Sequence, residues 1–416
     1  MPRDPSTYVP EGTRVVEWTQ QTWDEAEIQA VTDLLRTTTV LQVGDKVQEL
    51  EARVAQLFDK SFGVMTNSGT SALYLAVELL DLDPGDEILT TVMTFSADVA
   101  PILRAGLIPV FIDVEFDTYN VDVDQIEGLI GPRTKAILVP NLIGNAPDWE
   151  RIREIADRHG LKVIEDSADT LGAKLRGKPT GYWSDISITS FAQSHIITSG
   201  GAGGMVCMNS EAEHDRALLL RRWGRRCEVQ MFGSRKDKGE RFEDELSDGL
   251  VYDSFVIFDE VGWNFEPTEM HAAFALVQLD KMEGFNAIRR AHFDRHTHYF
   301  SHRPDYFVPA RETEDLETSW ICYPLMIRPE APFDRAEFMA YMEPRGITPR
   351  MAWSGNMLRQ PAYMNAPHRA APGGYPNANR AMEHTTTLPM SQSIRPDEID
   401  YIHACCESLI SERSSG

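Results

Sequence analysis

The stretch KAILVPNLIGNAPDWERIREIADRHGLKVIEDSADTLGA, residues 135–173, reads as one strand–helix–strand unit. KAILVPNL (135–142) and KVIED (162–166) are short apolar runs bounded by polar residues. Between them, DWERIREIADRHG (148–160) puts Ile152, Ile155 and Ala156 on one helical face, with Asp148 to cap the start and Gly160 to close the end. A strand, a crossover helix and a second strand in so short a span predict parallel pairing. The same alternation runs on both sides, with candidate strands EILTTV (87–92), PVFIDV (109–114), DISITSF (185–191) and GGMVCMN (203–209). The fold class is therefore α/β with a mostly parallel central sheet and helices on both faces. Such sheets bind ligands beyond the carboxyl ends of their strands, so residues just after each strand are the place to look for chemistry.

Further along, TEMHAAFALVQLDKM (268–282) carries Met270, Phe274 and Val277 at helical spacing and is expected to pack on that sheet. Beyond about residue 285 the apolar runs shorten and proline becomes frequent, which marks a smaller C-terminal domain. The expected division is an N-terminal arm (1–25), a large domain (26–285) and a small α/β domain (286–416). Residues 233–260, charged and without clear period, read as an extended excursion or a plain solvated loop.

The 416 residues contain 40 Lys and Arg against 64 Asp and Glu, a net charge of −24. That balance argues against a nucleic-acid surface, which needs clustered cations. It leaves room for small anions held by backbone N–H groups. No apolar run approaches the roughly 20 residues of a membrane helix. Cys207, Cys227, Cys322, Cys405 and Cys406 show no paired spacing, and the first residues carry no apolar leader; a soluble cytoplasmic protein is the expectation.

Three segments carry candidate chemistry. In TNSGTSALYLAVELL (66–80) an apolar helix begins at Ser68-Gly69-Thr70, where free N–H groups can meet a phosphate. An ordinary helix cap explains the same string. In KVIEDSADTLGA (162–173) Asp166 ends a central strand, where a carboxylate needs a partner such as a protonated pyridine nitrogen. A capping aspartate would serve equally. In ISITSFAQSHIITSGGAGGMV (186–206) a strand delivers Ser190, then His195, before a glycine-rich return. A lone histidine is more often structural, and such glycines usually only mark a turn.

Combination and order decide. These segments, with VGDKVQELEARVAQLF (43–58), TFSADVAPILRAGLIPVFIDVEFDTYNVD (94–122) and VGWNFEPTEMHAAFALVQL (261–279), resemble the sugar aminotransferase family of fold-type-I, pyridoxal-phosphate (PLP) enzymes. The resemblance implies that Ser68, Gly69, Thr70 and Ser190 hold the cofactor phosphate and that Phe95 stacks on the pyridine ring. It further implies that Asp166 pairs with the ring nitrogen and Asp169 lies near the phenolic oxygen, where Gln or His often stands. Asn264 would reach the cofactor phosphate of a neighbouring subunit, which implies a homodimer with shared sites.

One position departs from the aminotransferases. Counting from Ser190, the sixth residue of the loop is His195, where that family carries its Schiff-base lysine. Imidazole cannot form that bond and is suited to moving protons instead. The same replacement marks the nucleotide-sugar 3-dehydratase branch of the family. LIGNAP (142–147), RRWGRRC (221–227) and RMAWSGNMLRQPAY (350–363) resemble that branch as well. Cys227 is the only cysteine in the stretch directly after the Trp-Gly-Arg motif, and CEVQMFGSRK supplies no second, so the iron–sulfur variant of the branch, which needs about four thiolates, is not expected, and no metal site is.

The implied activity is PLP- or pyridoxamine-phosphate (PMP)-dependent C3 dehydration of a nucleotide-linked 4-keto-6-deoxyhexose, with glutamate restoring PMP. Arg350, Asn356 and Arg359 are candidates for the sugar nucleotide, against a plain salt-bridged domain interface. Two departures stand out: Ile196 follows His195 where the dehydratases carry a second histidine, and Glu266 replaces a basic residue. The competing readings are an aminotransferase using another lysine, such as Lys174 or Lys178, and a non-catalytic PLP-binding homologue or partner subunit.

Overall fold

The computed structural model describes residues 15–18, 22–236 and 244–414. A seven-stranded sheet organises the large part of the molecule. Its strands are β1 (Phe62–Thr66), β2 (Glu87–Thr91), β3 (Ile108–Ile112), β4 (Thr134–Pro140), β5 (Lys162–Asp166), β6 (Ile186–Ser190) and β7 (Gly204–Met208). They lie in the order β1-β7-β6-β5-β4-β2-β3. Every pairing from β6 to β3 is parallel, and β7 runs antiparallel to both β1 and β6. Six of these strands are those expected from the sequence, within a residue or two of their ends. β1 was not expected: FGVMT is short and opens next to a glycine.

Helices cover both faces. α1 (Glu25–Thr37) and α2 (Asp45–Leu57) precede the sheet, and α3 (Gly69–Leu79) and α4 (Ser96–Arg104) follow β1 and β2. α5 (Trp149–His159) follows β4 and α6 (Glu211–Arg221) follows β7. α5 starts at Asp148, whose carboxylate accepts from Arg151 N, and stops at Gly160 in the left-handed conformation. β5 shows why a parallel strand reads as an apolar run: its residues are buried on both faces apart from Lys162 at the end.

α7 (Glu269–Ser301) extends well past the 15 residues that the sequence marked. Its N-terminal half packs on α1 and α2, and its far end meets the second sheet. The boundary expected near residue 285 falls inside this continuous helix, which ties the two parts together. The second sheet has the order β8-β9-β11-β10, formed by β8 (Phe307–Pro309), β9 (Tyr323–Ile327), β10 (Arg350–Met351) and β11 (Thr385–Leu388). α8 (Arg335–Met342) packs on it, and α9 (Pro396–Ser414) lies against α7 and α8.

The described part of the N-terminal arm is anchored to this smaller unit. Val16 N donates to Gly346 O, and Trp18 N donates to Thr348 Oγ1. Within 233–260, residues 237–243 lie outside the described residues; the rest includes a two-stranded ribbon, Asp244–Glu245 with Val251–Tyr252. Among the described residues no helix is long and apolar enough to cross a membrane.

Candidate active site

A cavity of about 620 Å³ opens at the carboxyl ends of β4, β5 and β6. Its floor comes from the large sheet and its far wall from Arg350, Met351 and Trp353, with Trp18 of the arm. Of the residues singled out from sequence, Ser68, Gly69, Thr70, Phe95, Asp166, Asp169, Ser190, His195 and Arg350 line it together. Asn264, Asn356 and Arg359 do not.

The β1–α3 turn points free backbone donors of a helix start at the cavity. Ser68 caps α3 by accepting from Ser71 N, which leaves Gly69 and Thr70 at the helix start without intrahelical acceptors for their N–H groups. A Cβ on Gly69 would come within 2.6 Å of Ser190 Cβ, and one on Gly204 within 2.5 Å of Gly69 N. Only glycine lets the helix start, the Ser190 hydroxyl and β7 approach so closely. Phe95, at the N-cap of α4, is 56% exposed and presents its ring to the cavity.

The far end of the floor is acidic and dry. Asp166 is 6% exposed and accepts from Ala168 N at 2.7 Å. Asp169 is 7% exposed and accepts from Ile143 N at 3.0 Å. Burial pushes the Asp169 carboxyl up to about 8, with the Ile143 bond acting against it and Asp166 adding to it. A group so placed is neutral at pH 7 and can donate a hydrogen bond.

The Gly-Asn motif supports this corner. Ile143 takes a left-handed conformation (φ 64°), which aims its N–H at Asp169. Gly144 follows at φ 98°, and a Cβ there would fall 2.5 Å from Trp320 Cα. Asn145 then ties down three backbone groups: its amide donates to Thr118 O and Arg311 O, and its Oδ1 accepts from Thr313 N.

His195 sits where the Ser190 loop crosses the floor. Its Nδ1 contacts the carbonyl of Ala168. A carbonyl only accepts, so Nδ1 carries the proton and Nε2 keeps a lone pair. Burial holds the imidazole below its ordinary pKa, the Ala168 carbonyl opposes that, and Arg289 adds to it. The loop itself is fixed by Phe191, fully buried, and by Gly200, Gly201 and Gly203, all at positive φ. Lys174 and Lys178 lie on a small separate hairpin, and among the described residues no lysine lines the cavity.

The remaining candidates take other positions. Asn356 is 4% exposed; its Oδ1 accepts from Leu358 N and its amide donates to Asn379 Oδ1 at 2.9 Å. Arg359 pairs with Glu383 at 2.6 Å on an exposed surface. Both act as ties within the small unit, and they hold the segment whose start faces the cavity. Asn264 is exposed outside the cavity and caps a turn through Glu266 N.

Sequence reasoning missed Trp18, Asp98, Arg289 and Trp353. Arg289 reads as one more cation on a surface helix, yet it is 1% exposed and donates to the Trp320 and Ile321 carbonyls and to Gln392. Trp353 is held at φ 47°, a conformation that a bulky residue rarely adopts and one that marks a constrained wall.

A largely parallel sheet with an antiparallel strand beside its edge, and a cavity built on a helix N-terminus and a strand-end aspartate, define a fold-type-I, PLP-dependent transferase by class. Within that class the chain belongs to the DegT/DnrJ/EryC1/StrS aminotransferase family, whose model matches residues 21–407. It is 32% identical over 385 residues to dTDP-4-dehydro-2,6-dideoxy-D-glucose 3-dehydratase of Saccharopolyspora spinosa, covering 90% of this chain and 82% of that protein. It is 33% identical over 266 residues to GDP-perosamine synthase of Caulobacter vibrioides, covering 64% of this chain and 65% of that one. Among solved structures, a histidine-to-asparagine variant of GDP-4-keto-6-deoxymannose-3-dehydratase with bound GDP-perosamine superposes with a TM-score of 0.85. That pair shares 25% identity over 93% of this chain and 99% of the other. The chain is thus an enzyme of a family that includes both sugar dehydratases and sugar aminotransferases.

Proposed function

We propose that this protein binds PLP and PMP and removes the C3 hydroxyl of a nucleotide-linked 4-keto-6-deoxyhexose, giving a 4-keto-3,6-dideoxy sugar, with glutamate restoring PMP. The observation that carries the reading is His195. It lies in the cavity, neutral, with Nδ1 committed to the Ala168 carbonyl and Nε2 left to accept a proton, while no lysine lines the cavity among the described residues.

The donor set fits the cofactor. The N–H groups of Gly69 and Thr70 and the hydroxyls of Ser68 and Ser190 would hold its phosphate, and the Gly69–Ser190 approach leaves a cradle that a Cβ would fill. Phe95 would stack on the ring, worth about 0.5–1.5 kcal/mol beyond burial. Asp166 would pair with the ring nitrogen, and the neutral Asp169 would donate to the phenolic oxygen. When bound, PMP supplies an amine for the sugar ketone and a ring that accepts electron density from the adjoining carbon.

The protein's part is proton traffic. His195 Nε2 takes the proton from that carbon, and the imidazolium so formed donates to the departing C3 oxygen, which leaves as water. General acid catalysis of this kind contributes about 10²–10⁴-fold. Burial and Arg289 keep the imidazole neutral at rest, so it starts as the base. Arg350 supplies positive charge for the diphosphate. Asn264, exposed and paired through its backbone with Arg222 next to the exposed Trp223, is proposed to face a second copy in a cytoplasmic homodimer.

Incubation with PLP, glutamate and a panel of 4-keto-6-deoxy sugar nucleotides tests the reading by mass spectrometry. The expected product has lost one oxygen from the sugar, with ammonia and 2-oxoglutarate released. An amine in place of the ketone would instead establish the aminotransferase that the relation to GDP-perosamine synthase keeps in view.

A further inference from the structure

A third carboxyl group stands in the acidic wall. Asp98, in the first turn of α4, lines the cavity and is 1% exposed. Thr94, itself fully buried, donates its hydroxyl to Asp98 Oδ2, while Oδ1 has no hydrogen-bond partner among the described residues. Asp98 and Asp166 line the same corner of the cavity as Asp169, close enough for each charge to act on the Asp98 carboxyl. Glu165, behind Asp166, has its oxygens taken up by Asn141, Ser167 and Ser187. Among the described residues no lysine or arginine forms an ion pair with Asp98, Asp166 or Asp169. His195 is held neutral, and Arg289 is spent on carbonyls and Gln392.

Two ionised carboxylates cannot share such a dry contact without large cost; one proton between them removes the repulsion and satisfies the orphaned oxygen. We propose that Asp98 carries that proton and donates it as a hydrogen bond to Asp166, so that the pair behaves as one delocalised charge behind the cofactor ring. Asp98 is then a positioning residue. It acts through Asp166, keeping that carboxylate ionised and oriented while moderating its pull on the ring nitrogen's proton. The electrostatics agree: burial and Asp166 raise the Asp98 carboxyl well above the usual range, whereas the Asp98 bond works to lower Asp166 against its own burial.

The effect on the ring rests on the proposed PLP reading; the proton on Asp98 does not. Infrared spectra of the full-length, cofactor-free protein labelled with ¹³C-carboxyl aspartate therefore form the first arm. At pH 7 the wild type is expected to show protonated-carboxyl absorption from both Asp98 and Asp169; Asp98→Asn removes the Asp98 band and leaves the one that Asp169→Asn removes. Titration of the PLP-loaded protein by absorbance is the second. The wild type should respond twice, on the acid side as Asp166 takes up a proton and on the alkaline side as Asp98 gives its proton up; Asp98→Asn keeps a donor that cannot ionise, so it should retain the acid-side midpoint and lose the alkaline step. Asp98→Ala, checked for folding by circular dichroism, should raise the acid-side midpoint by about one pH unit, because Asp166 loses the bond that keeps it ionised. Protonated-carboxyl absorption undiminished in Asp98→Asn, or an alkaline step that survives it, overturns the proposal. Failure of the wild type to bind PLP would sink the functional reading instead, and the infrared arm would still decide the proton.

Discussion

The two walls of the cavity are built on opposite principles. The sheet-side wall consists of buried or half-buried groups at or just past strand ends, each fixed by a backbone contact: Asp166 by Ala168 N, Asp169 by Ile143 N, and the half-buried His195 by the Ala168 carbonyl. The opposite wall is a segment, Arg350 to Trp353, whose arginine and methionine are exposed, and the motif residues Asn356 and Gln360 just beyond it hold the turn. Rigid, dry groups suit proton chemistry common to a whole class of substrates. An exposed, tethered segment suits recognition of what differs among them.

Variants that strike each wall should separate these roles. The largest effect is expected for His195→Asn, with turnover falling by about 10²–10⁴-fold while PLP still binds, read by steady-state rates beside an absorbance titration. Next come paired glycine variants. Gly69→Ala forces a Cβ to 2.6 Å from Ser190 Cβ and should weaken PLP binding by about tenfold or more, at the usual overpacking cost of about 1–3 kcal/mol. Gly355→Ala forces one to 2.4 Å from Met382 Cγ at φ 60° and should lower the denaturation midpoint by a similar energy without changing PLP affinity. If both variants weakened PLP equally, the division between the walls would be lost.

Two pH dependences are smaller and distinguish the buried wall. The acid limb of kcat/KM should fall below the ordinary histidine value of about 6.5, because burial lowers the His195 pKa. Asp169 binds its proton more tightly folded than unfolded. The stability it contributes is complete below its unfolded pKa of about 3.9 and is lost as pH rises through about 8. Asp169→Asn should flatten that slope in chemical denaturation. The smallest effect belongs to Arg359→Ala, which removes an exposed pair worth at most about 1 kcal/mol; Arg350→Ala should instead raise KM for the sugar nucleotide.

The sheet was legible because strands buried on both faces must be apolar runs, and six of seven, the antiparallel β7 among them, announced themselves so. The cavity-lining positions of Ser68, Gly69, Thr70 and Asp166 were legible because a helix start and a strand end fix position along the chain. Asp98 was not, since an acid in the first turn of a helix is ordinary on a surface and only burial makes it unusual. Asn356 and Arg359 went the other way. Motif identity drew them toward the substrate, yet their hydrogen bonds close a turn and an exposed ion pair. The full length of α7 escaped notice because its second half, NAIRRAHFDRHTHYFS, mixes cations and aromatics without a clean apolar stripe.

The central claim is that an imidazole, not a lysine amine, stands over the reacting carbon. Borohydride reduction of the PLP-loaded protein, followed by intact-mass measurement, tests it most directly. The account predicts an unchanged chain mass, with the reduced cofactor released on denaturation. A covalently retained pyridoxyl group, mapped to any lysine, would contradict it.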